Sequence, residues 1–199
     1  MDFLAIDKKD IKEVVRIHKS AFKGFFLTEL GDDFLSLYYK SVLNYRGAIL
    51  LGCFEDDKLL GFCAATILSN GFNARLIKSN LINFYLIGLK ILFTKPNAII
   101  RLFHNFSKKS SEIDDGLYSE LLSIGVDPNC QGKGVGKILL TVLESLLKDN
   151  NISKLSLTTD FYDNDKAISF YKSLGYSVFY DFVTYPNRRM YRMIKNLIE

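Results

Sequence analysis

The sequence predicts a single mixed α/β domain, built on a central, mostly antiparallel sheet with helices on both faces. Apolar runs of strand length alternate with segments whose apolar residues recur at helical spacing. Two apolar runs at residues 48–54 and 59–68 flank the polar residues 55–58 and predict a hairpin. The last two runs flank the turn at residues 185–188 and predict a closing antiparallel pair.

The remaining elements are predicted from apolar periodicity and from helix-end signals. In chain order they are a strand at residues 3–6, a helix from Ile11, an aromatic loop at 24–28, a helix at 32–43, a strand at 154–158 and a helix at 163–174. Asp10 is a suitable N-cap for the first helix. Gly175 is placed to end the last one in a left-handed conformation.

The composition is that of a folded protein in a reducing compartment. The 199 residues are 48% hydrophobic and include only three prolines, which argues against disorder and allows a sizeable core. The N-terminal residues lack the basic and apolar regions of a signal peptide. Cys53, Cys63 and Cys130 form no metal-ligand spacing and are interpreted as reduced thiols, so a cytoplasmic location is expected.

Residues 70–112 are predicted to form a helical basic insert. Between residues 70 and 111 there are seven basic residues and no acidic one, whereas the rest of the chain has 19 basic and 22 acidic residues. One helix is expected to run to about Phe93 and to break at Pro96, before a second helix over residues 98–106. Three roles stay open: covering the core, forming a homodimer, or contacting an anionic membrane or a lipid-linked substrate through residues 76–109.

Residues 117–137 are predicted to bind a phosphorylated cofactor. An apolar strand leads through Pro128 into a helix that begins within the cluster Gly132, Gly134 and Gly136. A glycine-rich helix start offers unpaired N–H groups and the positive end of the helix dipole, which together bind anions. The spacing is neither that of the phosphate loop of nucleotide hydrolases nor that of a dinucleotide fingerprint.

Residues 131–136 read Q-x-x-G-x-G, which resembles the coenzyme A pyrophosphate loop of the GNAT superfamily of acyl-CoA-dependent N-acyltransferases. A second motif of that family, N-x-x-A-x-x-F-Y-x-x-x-G-[FY], runs from Asn164 to Tyr176. The resemblance is strong over residues 117–185 and absent over about 70–112, where the family normally has a short turn. It implies that the fourth and fifth strands are parallel and splay apart, which opens a cleft for the pantetheine arm.

The resemblance also implies that the cofactor is acetyl-CoA. The backbone of the fourth strand would pair with the pantetheine arm and supply an oxyanion contact. Asn164 would hydrogen-bond the same arm, or else it only caps its helix. The residues expected to bind the cofactor are Ile124, Gly125, Val126, Gln131, Gly132, Lys133, Gly134, Val135, Gly136, Lys137, Asn164 and Tyr171.

Glu120 and Tyr171 are the candidate catalytic residues. Glu120 lies eleven residues before the Q-x-x-G-x-G motif, in the position of the general base in those resembling enzymes that use a glutamate. Simple alternation puts it on one apolar strand face with Leu122, Ile124 and Val126; otherwise it is a strand-end carboxylate, exposed or paired with a cation. Tyr171 matches the tyrosine near the departing sulfur and would protonate it, or it is an ordinary core tyrosine.

The sequence gives no support to metal or nucleic-acid chemistry. No set of zinc or iron ligands is apparent, and the apolar basic insert shows no recognised nucleic-acid motif. His18 lies on the apolar stripe of the first helix, and it is either a packed residue or a second base.

The expected function is that of one N-acetyltransferase domain over residues 1–199. It would move an acetyl group from acetyl-CoA to a primary amine of a small molecule by direct attack. An amino sugar, or its nucleotide- or lipid-linked form, is the first class of acceptor considered. Two alternatives stay open: a protein or peptide N-acetyltransferase, and a non-catalytic module that binds acyl-CoA and acts through a partner.

Overall fold

The computed structural model describes residues 1–95 and 114–198 and is organised around a seven-stranded sheet. The strands are β1 (Asp2–Ala5), β2 (Ala48–Glu55), β3 (Lys58–Thr66), β4 (Ser119–Val126), β5 (Lys154–Asp160), β6 (Ser177–Thr184) and β7 (Arg188–Asn196). Their order is β1-β2-β3-β4-β5-β7-β6, and every neighbouring pair is antiparallel except β4 and β5. The expected mixed α/β class and the parallel β4–β5 pair are confirmed.

Helices cover both faces of this sheet. Those in the described residues are α1 (Ile11–Ala21), α2 (Phe26–Glu29), α3 (Asp32–Asn44), α4 (Phe72–Ser79), α5 (Leu81–Thr94), α6 (Val135–Asp149) and α7 (Asp165–Ser173). Helices α1, α3 and α4 enclose one apolar cluster with Phe62 of β3. Helices α6 and α7 enclose the other with Cys63, the next residue along β3. Neighbouring strand residues point to opposite faces, so the two clusters lie on opposite sides of the sheet.

Two local predictions in the first part of the chain are wrong in detail. The aromatic loop at residues 24–28 contains the start of the short helix α2. Asp10 is the N-cap residue of α1, as predicted, but its side chain makes no hydrogen bond to that helix; instead Asp7 and Asp10 form a capping box around the short 3-10 turn Lys8–Asp10 that precedes it. The Asp7 carboxylate accepts from the N–H of Lys8, and the Asp10 carboxylate accepts from the N–H of Asp7. The side-chain capping bonds therefore lie at the 3-10 turn, one turn before the start of α1.

The insert begins as two helices, where one continuous helix was expected as far as Phe93. Helices α4 and α5 meet at Asn80 with a bend of 98°. The Asn80 side chain donates to Ser41 Oγ of α3 (3.1 Å) and accepts from Asn83 (2.7 Å). The backbone of Asn80 is non-helical (φ −142°, ψ 42°), which ends α4, and these two side-chain hydrogen bonds tie the junction to α3 and to the first turn of α5. The predicted break at Pro96 and the helix over residues 98–106 lie outside the described residues.

The base of the insert is closed by main-chain hydrogen bonds. The N–H of Ser69 donates to the carbonyl of Tyr118 (2.9 Å), and the N–H of Asn70 donates to that of Gly116 (3.1 Å). The chain thus leaves the sheet after β3 and returns next to the point where it left, at the start of β4. The insert is therefore attached close to the middle of the sheet.

Candidate active site

The centre of the sheet is split between β4 and β5. The two strands pair only from Ser119 to Leu121 on β4 and from Leu155 to Leu157 on β5. Further along, β5 pairs with β7 alone, while β4 continues to Val126. Ile124, Gly125 and Val126 therefore have a β-strand neighbour on the β3 side only. The splayed pair is confirmed, and its open edge can accept an extended ligand arm as an added strand.

The loop after β4 has the backbone of an anion-binding turn. Gly132 and Gly134 have φ angles of +78° and +79°, which favour glycine, and a Cβ on either would meet no atom within 4 Å. The glycines are thus required by the backbone conformation, and the side of the loop they present stays open. Val135 is 1% exposed and anchors the start of α6 in the core.

The start of α6 fits the pyrophosphate of coenzyme A. The first main-chain bond there runs from the N–H of Ile138 to the carbonyl of Gly134 (3.1 Å). The N–H groups of Val135, Gly136 and Lys137 precede that bond and remain for a ligand, as at the start of any helix. Lys133 and Lys137 are exposed beside them, and Gln131 leads into the loop. The donors, the helix dipole and two cations all suit a bound anion.

Glu120 does not share a face with Ile124 and Val126, so that prediction is wrong. Ala64 of β3 is opposite Ser123, whereas Ala65 is opposite Leu121, so β4 has an extra residue at Leu122. This bulge reverses the alternation: Leu122 packs in the cluster of α1 and α3, but Ile124 and Val126 pack in the cluster of α6. An inserted residue of this kind cannot be found by counting along one strand.

Glu120 lies in a polar setting and not in an apolar one. Its Oε1 accepts from Arg192 Nη1 of β7 (2.6 Å), and its Oε2 accepts from the hydroxyl of Ser69 at the base of the insert. Only 18% of the Glu120 side chain and 13% of the Arg192 side chain are exposed. Arg192 Nη1 also donates to Ser156 Oγ (3.1 Å). The carboxylate is therefore held in a fixed position beside a buried cation.

The polar setting continues into a group of residues that sequence reasoning missed. Asp114 accepts hydrogen bonds from the hydroxyls of Tyr118 (2.6 Å) and Tyr180. Burial opposes ionisation of Asp114, but these two hydrogen bonds hold the pKa of its carboxyl below the ordinary value. The Arg192 guanidinium lies 5.6 Å from the centre of the Tyr118 ring. The available signal was the charge of the closing strand, in which Arg192 lies between Tyr191 and Met193.

Tyr171 lies on the other face of the sheet, in the cluster of α6 and α7. Its ring packs edge-on against Phe170 and Tyr176, with centroids 5.2 Å and 5.9 Å away. Burial raises the pKa of its phenol to about 12, so the hydroxyl keeps its proton at neutral pH. The structure thus places Tyr171 and Glu120 on opposite faces of the split strands. A proton donor and a proton acceptor can serve opposite sides of one transfer from such positions.

Asn164 immediately precedes α7, but its side chain makes no cap on that helix. Its Nδ2 donates to Thr159 Oγ1 (2.6 Å) and to the carbonyl of Asp160 (3.3 Å). The capping alternative is therefore wrong, and the residue ties the start of α7 to the end of β5. That end borders the open part of the split, where contact with the pantetheine arm stays a prediction.

His18 is packed below β4. It is 3% exposed, its Nδ1 lies 2.6 Å from the hydroxyl of Tyr39, and that hydroxyl lies 3.0 Å from Ser123 Oγ at the bulge. Burial lowers the pKa of His18 to about 4, so the ring is neutral at pH 7. Within the described part of the chain, its Nε2 is buried without a hydrogen-bond partner. This setting suits a packed residue better than a second base.

The cysteines and acids do not assemble a metal site in the described residues. Cys53, Cys63 and Cys130 are buried free thiols. Burial raises the pKa of the Cys63 thiol to about 12, which suits a core residue and not a nucleophile. Among residues 1–95 and 114–198, no group of three or more His, Cys, Asp or Glu side chains could hold a metal ion.

Comparison with known sequences finds one family over most of the chain. The sequence model of the Acetyltransferase (GNAT) family matches residues 11–176. The mycothiol acetyltransferase of Rhodococcus erythropolis (strain PR4 / NBRC 100887) is 30% identical over 95 residues. That alignment covers 47% of this chain and 31% of the relative, so this chain matches less than a third of the relative's length.

Solved structures share the fold along nearly the whole chain. The ribosomal-protein-S18-alanine N-acetyltransferase of Escherichia coli has a TM-score of 0.65 at 14% identity, covering 100% of this chain and 94% of that one. An aminoglycoside 6'-acetyltransferase type Ii has a TM-score of 0.63 at 16% identity, covering 100% and 99%. The PaiA N-acetyltransferase of Thermoplasma acidophilum, solved in complex with coenzyme A, has a TM-score of 0.55 at 16% identity, covering 98% of each chain.

The family match and the cofactor site agree with one another. The predicted family, enzyme class and cofactor are confirmed, since the matched residues include the β4–β5 split and the glycine loop at the start of α6. The chain therefore belongs to the GNAT family of acetyltransferases and carries an acyltransferase domain that depends on acetyl-CoA.

Proposed function

We propose that this protein transfers an acetyl group from acetyl-CoA to a primary amine of a small molecule by direct attack. One observation carries the proposal. The open edge of β4 joins the glycine loop of α6 at one end and Glu120 at the other. An extended cofactor arm bound along this edge would place its reactive end near the closed part of the split, where Glu120 and Arg192 lie.

We infer a role for each residue from its position. When bound, acetyl-CoA supplies a thioester whose acyl carbon an amine can attack. The start of α6 would hold the pyrophosphate, and the main chain of Ile124 and Val126 would orient the arm and offer N–H donors to the acyl oxygen. An amine with a pKa of about 10.4 is almost wholly protonated at pH 7, so Glu120 accepts its proton. Tyr171 keeps a proton at neutral pH and can give it to the departing sulfur.

The acceptor is proposed to be an amino sugar, or its nucleotide- or lipid-linked form. Ser69, at the base of the insert, contacts Glu120, so the insert would lie beside the acceptor if Glu120 is the proton acceptor. The comparisons include proteins named for small-molecule and for ribosomal-protein acceptors, so a peptide amine is the second candidate. A non-catalytic acyl-CoA module is the third.

A panel assay tests this proposal. Release of the free coenzyme A thiol is followed with amino sugars, their nucleotide- and lipid-linked forms, and peptides with free N-termini. We expect turnover with the sugars and none with the peptides. Turnover of peptides alone would favour the second candidate. Acetyl-CoA binding without turnover of any amine would favour the non-catalytic module.

A cytoplasmic location is part of the proposal. The free thiols of Cys53, Cys63 and Cys130 support it, because exported proteins usually oxidise their cysteines. Fractionation of cells that express the protein, with thiol labelling under denaturing conditions, tests it. Oxidised cysteines in the native protein would contradict it.

A further inference from the structure

Helix α5 has two apolar faces, and only one of them is packed against the protein. Phe84, Ile87 and Ile91 recur at helical spacing and are buried or half-buried against α2 and α3. On the other side, residues 82, 85, 86, 89 and 93 recur at the spacings i, i+3, i+4, i+7 and i+11. A helix that is apolar on both sides is normally buried on both sides.

The second face is open over most of its area. Ile82 is 75% exposed, Tyr85 63%, Leu86 57% and Phe93 84%. Leu81, Leu89 and Leu92 extend the same surface. Soluble monomers rarely expose contiguous apolar patches larger than a few hundred Å², and larger ones mark surfaces that bind something. We call this surface the α5 face.

The charged residues on α4 and α5 themselves all have one sign. From Phe72 to Lys95 the sequence has Arg75, Lys78, Lys90 and Lys95 and no acidic residue. Lys78 is exposed on α4, and the amine of Lys90 makes a solvent-exposed pair with Asp33 of α3 (2.5 Å). Exposed ion pairs contribute little to the free energy of folding, so the Lys90 amine can exchange Asp33 for another anion.

We propose that the α5 face lies on a phospholipid bilayer that carries anionic headgroups. The bilayer interface receives the apolar side chains, including the rings of Tyr85 and Phe93, while Lys78 and Lys90 meet lipid phosphates. A second copy of this chain fits less well. A two-fold contact through the same face would bring the same cations together, with no acidic residue on α4 or α5 to meet them.

The lengths of α4 and α5 bear on how they could meet a bilayer. In the described residues no single helix is long and apolar enough to span a membrane; α4 and α5 meet that test only together, across their 98° bend. The proposal is independent of acetyl transfer, because α5 contacts neither the β4–β5 split nor the start of α6 among the contacts described above. It would place the acceptor side of the enzyme near a membrane.

Sedimentation with vesicles tests the apolar contact between the α5 face and the bilayer. Vesicles of phosphatidylcholine alone, and with phosphatidylglycerol, are used at low and high salt. We expect binding to the anionic vesicles that weakens at high salt, and a loss of about tenfold or more in Ile82→Ser/Phe93→Ser. Leu4→Ser/Val183→Ser is the matched control, since Leu4 and Val183 are 57% and 56% exposed on β1 and β6.

A second pair of variants tests the charge. Lys78→Glu should weaken binding by about fivefold or more, whereas Lys58→Glu, with the same charge change at the exposed start of β3, should not. Acetyl-CoA thermal shifts in the same variants report folding and cofactor binding separately. Equal binding by Ile82→Ser/Phe93→Ser and wild type, or no binding to either vesicle, would overturn the proposal. Self-association that Ile82→Ser/Phe93→Ser abolishes, without vesicle binding, would assign the face to a homodimer instead.

Discussion

Helices α6 and α5 are similar in length and both rich in leucine and isoleucine, yet they use these residues differently. In α6, Leu139, Leu140, Leu143 and Leu147 are all 0% exposed and fill the core below the sheet. In α5, Ile91 is the one buried residue, and the larger apolar face is exposed. The anion-binding groups of α6 are main-chain N–H groups at its start. Its side chains are therefore free to pack in the core.

The comparison separates two ways of building a binding surface. At the start of α6 the ligand is recognised by N–H groups and the helix dipole, so two glycines with positive φ and an anchored helix are sufficient. On α5 the surface consists of the side chains themselves, and nothing in the local backbone indicates what they contact. Changes to α6 should therefore act on cofactor binding and stability, whereas changes to the α5 face should leave both intact.

The largest effect is expected from Gly134→Asp. A carboxylate at the start of α6 would repel the pyrophosphate, so acetyl-CoA binding should be lost. Ligand at 100 times its Kd stabilises wild type by about 2.7 kcal/mol, which a thermal shift detects easily. Gly24→Asp is a close control, because Gly24 has a φ of +75° and equally open space at its Cβ. Equal loss of binding in both variants would point to misfolding and against the anion site.

Paired leucine truncations test the packing side of the comparison. Leu139→Ala in α6 removes a fully buried side chain and should lower the free energy of unfolding by about 2–5 kcal/mol. Leu86→Ala on the α5 face should change it by less than about 0.5 kcal/mol, since Leu86 is 57% exposed. Urea unfolding measures both. A large loss in Leu86→Ala would mean that another part of the protein covers the α5 face in solution.

Catalytic substitutions should lower kcat by about 10²-fold without changing acetyl-CoA affinity. Tyr171→Phe removes the proton proposed for the sulfur, and Glu120→Gln removes the proton acceptor and alters the pH–rate profile. Tyr85→Phe in α5 loses the same hydroxyl at an exposed site and should keep wild-type kcat in solution. Wild-type rates in Tyr171→Phe and Glu120→Gln with the best acceptor would remove both residues from the mechanism.

The smallest expected effect concerns His18, below the cofactor strand. Its pKa is about 4 in the folded protein and about 6.5 when unfolded, so between these values the unfolded state binds more protons. Stability should therefore fall as the pH decreases through this window, by about 1 kcal/mol from pH 7 to pH 5.5. Urea unfolding of wild type and His18→Gln at both pH values measures this contribution. Parallel pH slopes in the two proteins would contradict it.

Much of the cofactor region was predictable because its signals are local. Glycine spacing, an apolar strand and a helical stripe predict the loop from Gln131 to Gly136 and the helix that follows, whatever surrounds them. The parallel, splayed β4–β5 pair followed from the family resemblance. The break at Asn80 was not predicted, and the hydrogen bond that ties it to Ser41 of α3 joins residues far apart in the chain.

The sequence was sufficient for the fold class, the family, the enzyme class and the cofactor. It was not sufficient for the environment of the candidate residues. A bulge at Leu122, visible only in the pairing with β3, moves Glu120 to the face opposite Ile124. There Arg192 and Ser69, 72 and 51 residues away in the chain, hold it in a polar setting. Local preferences act over a few residues, whereas strand register and charge pairing depend on which distant segments meet, and that is established only when the chain has folded.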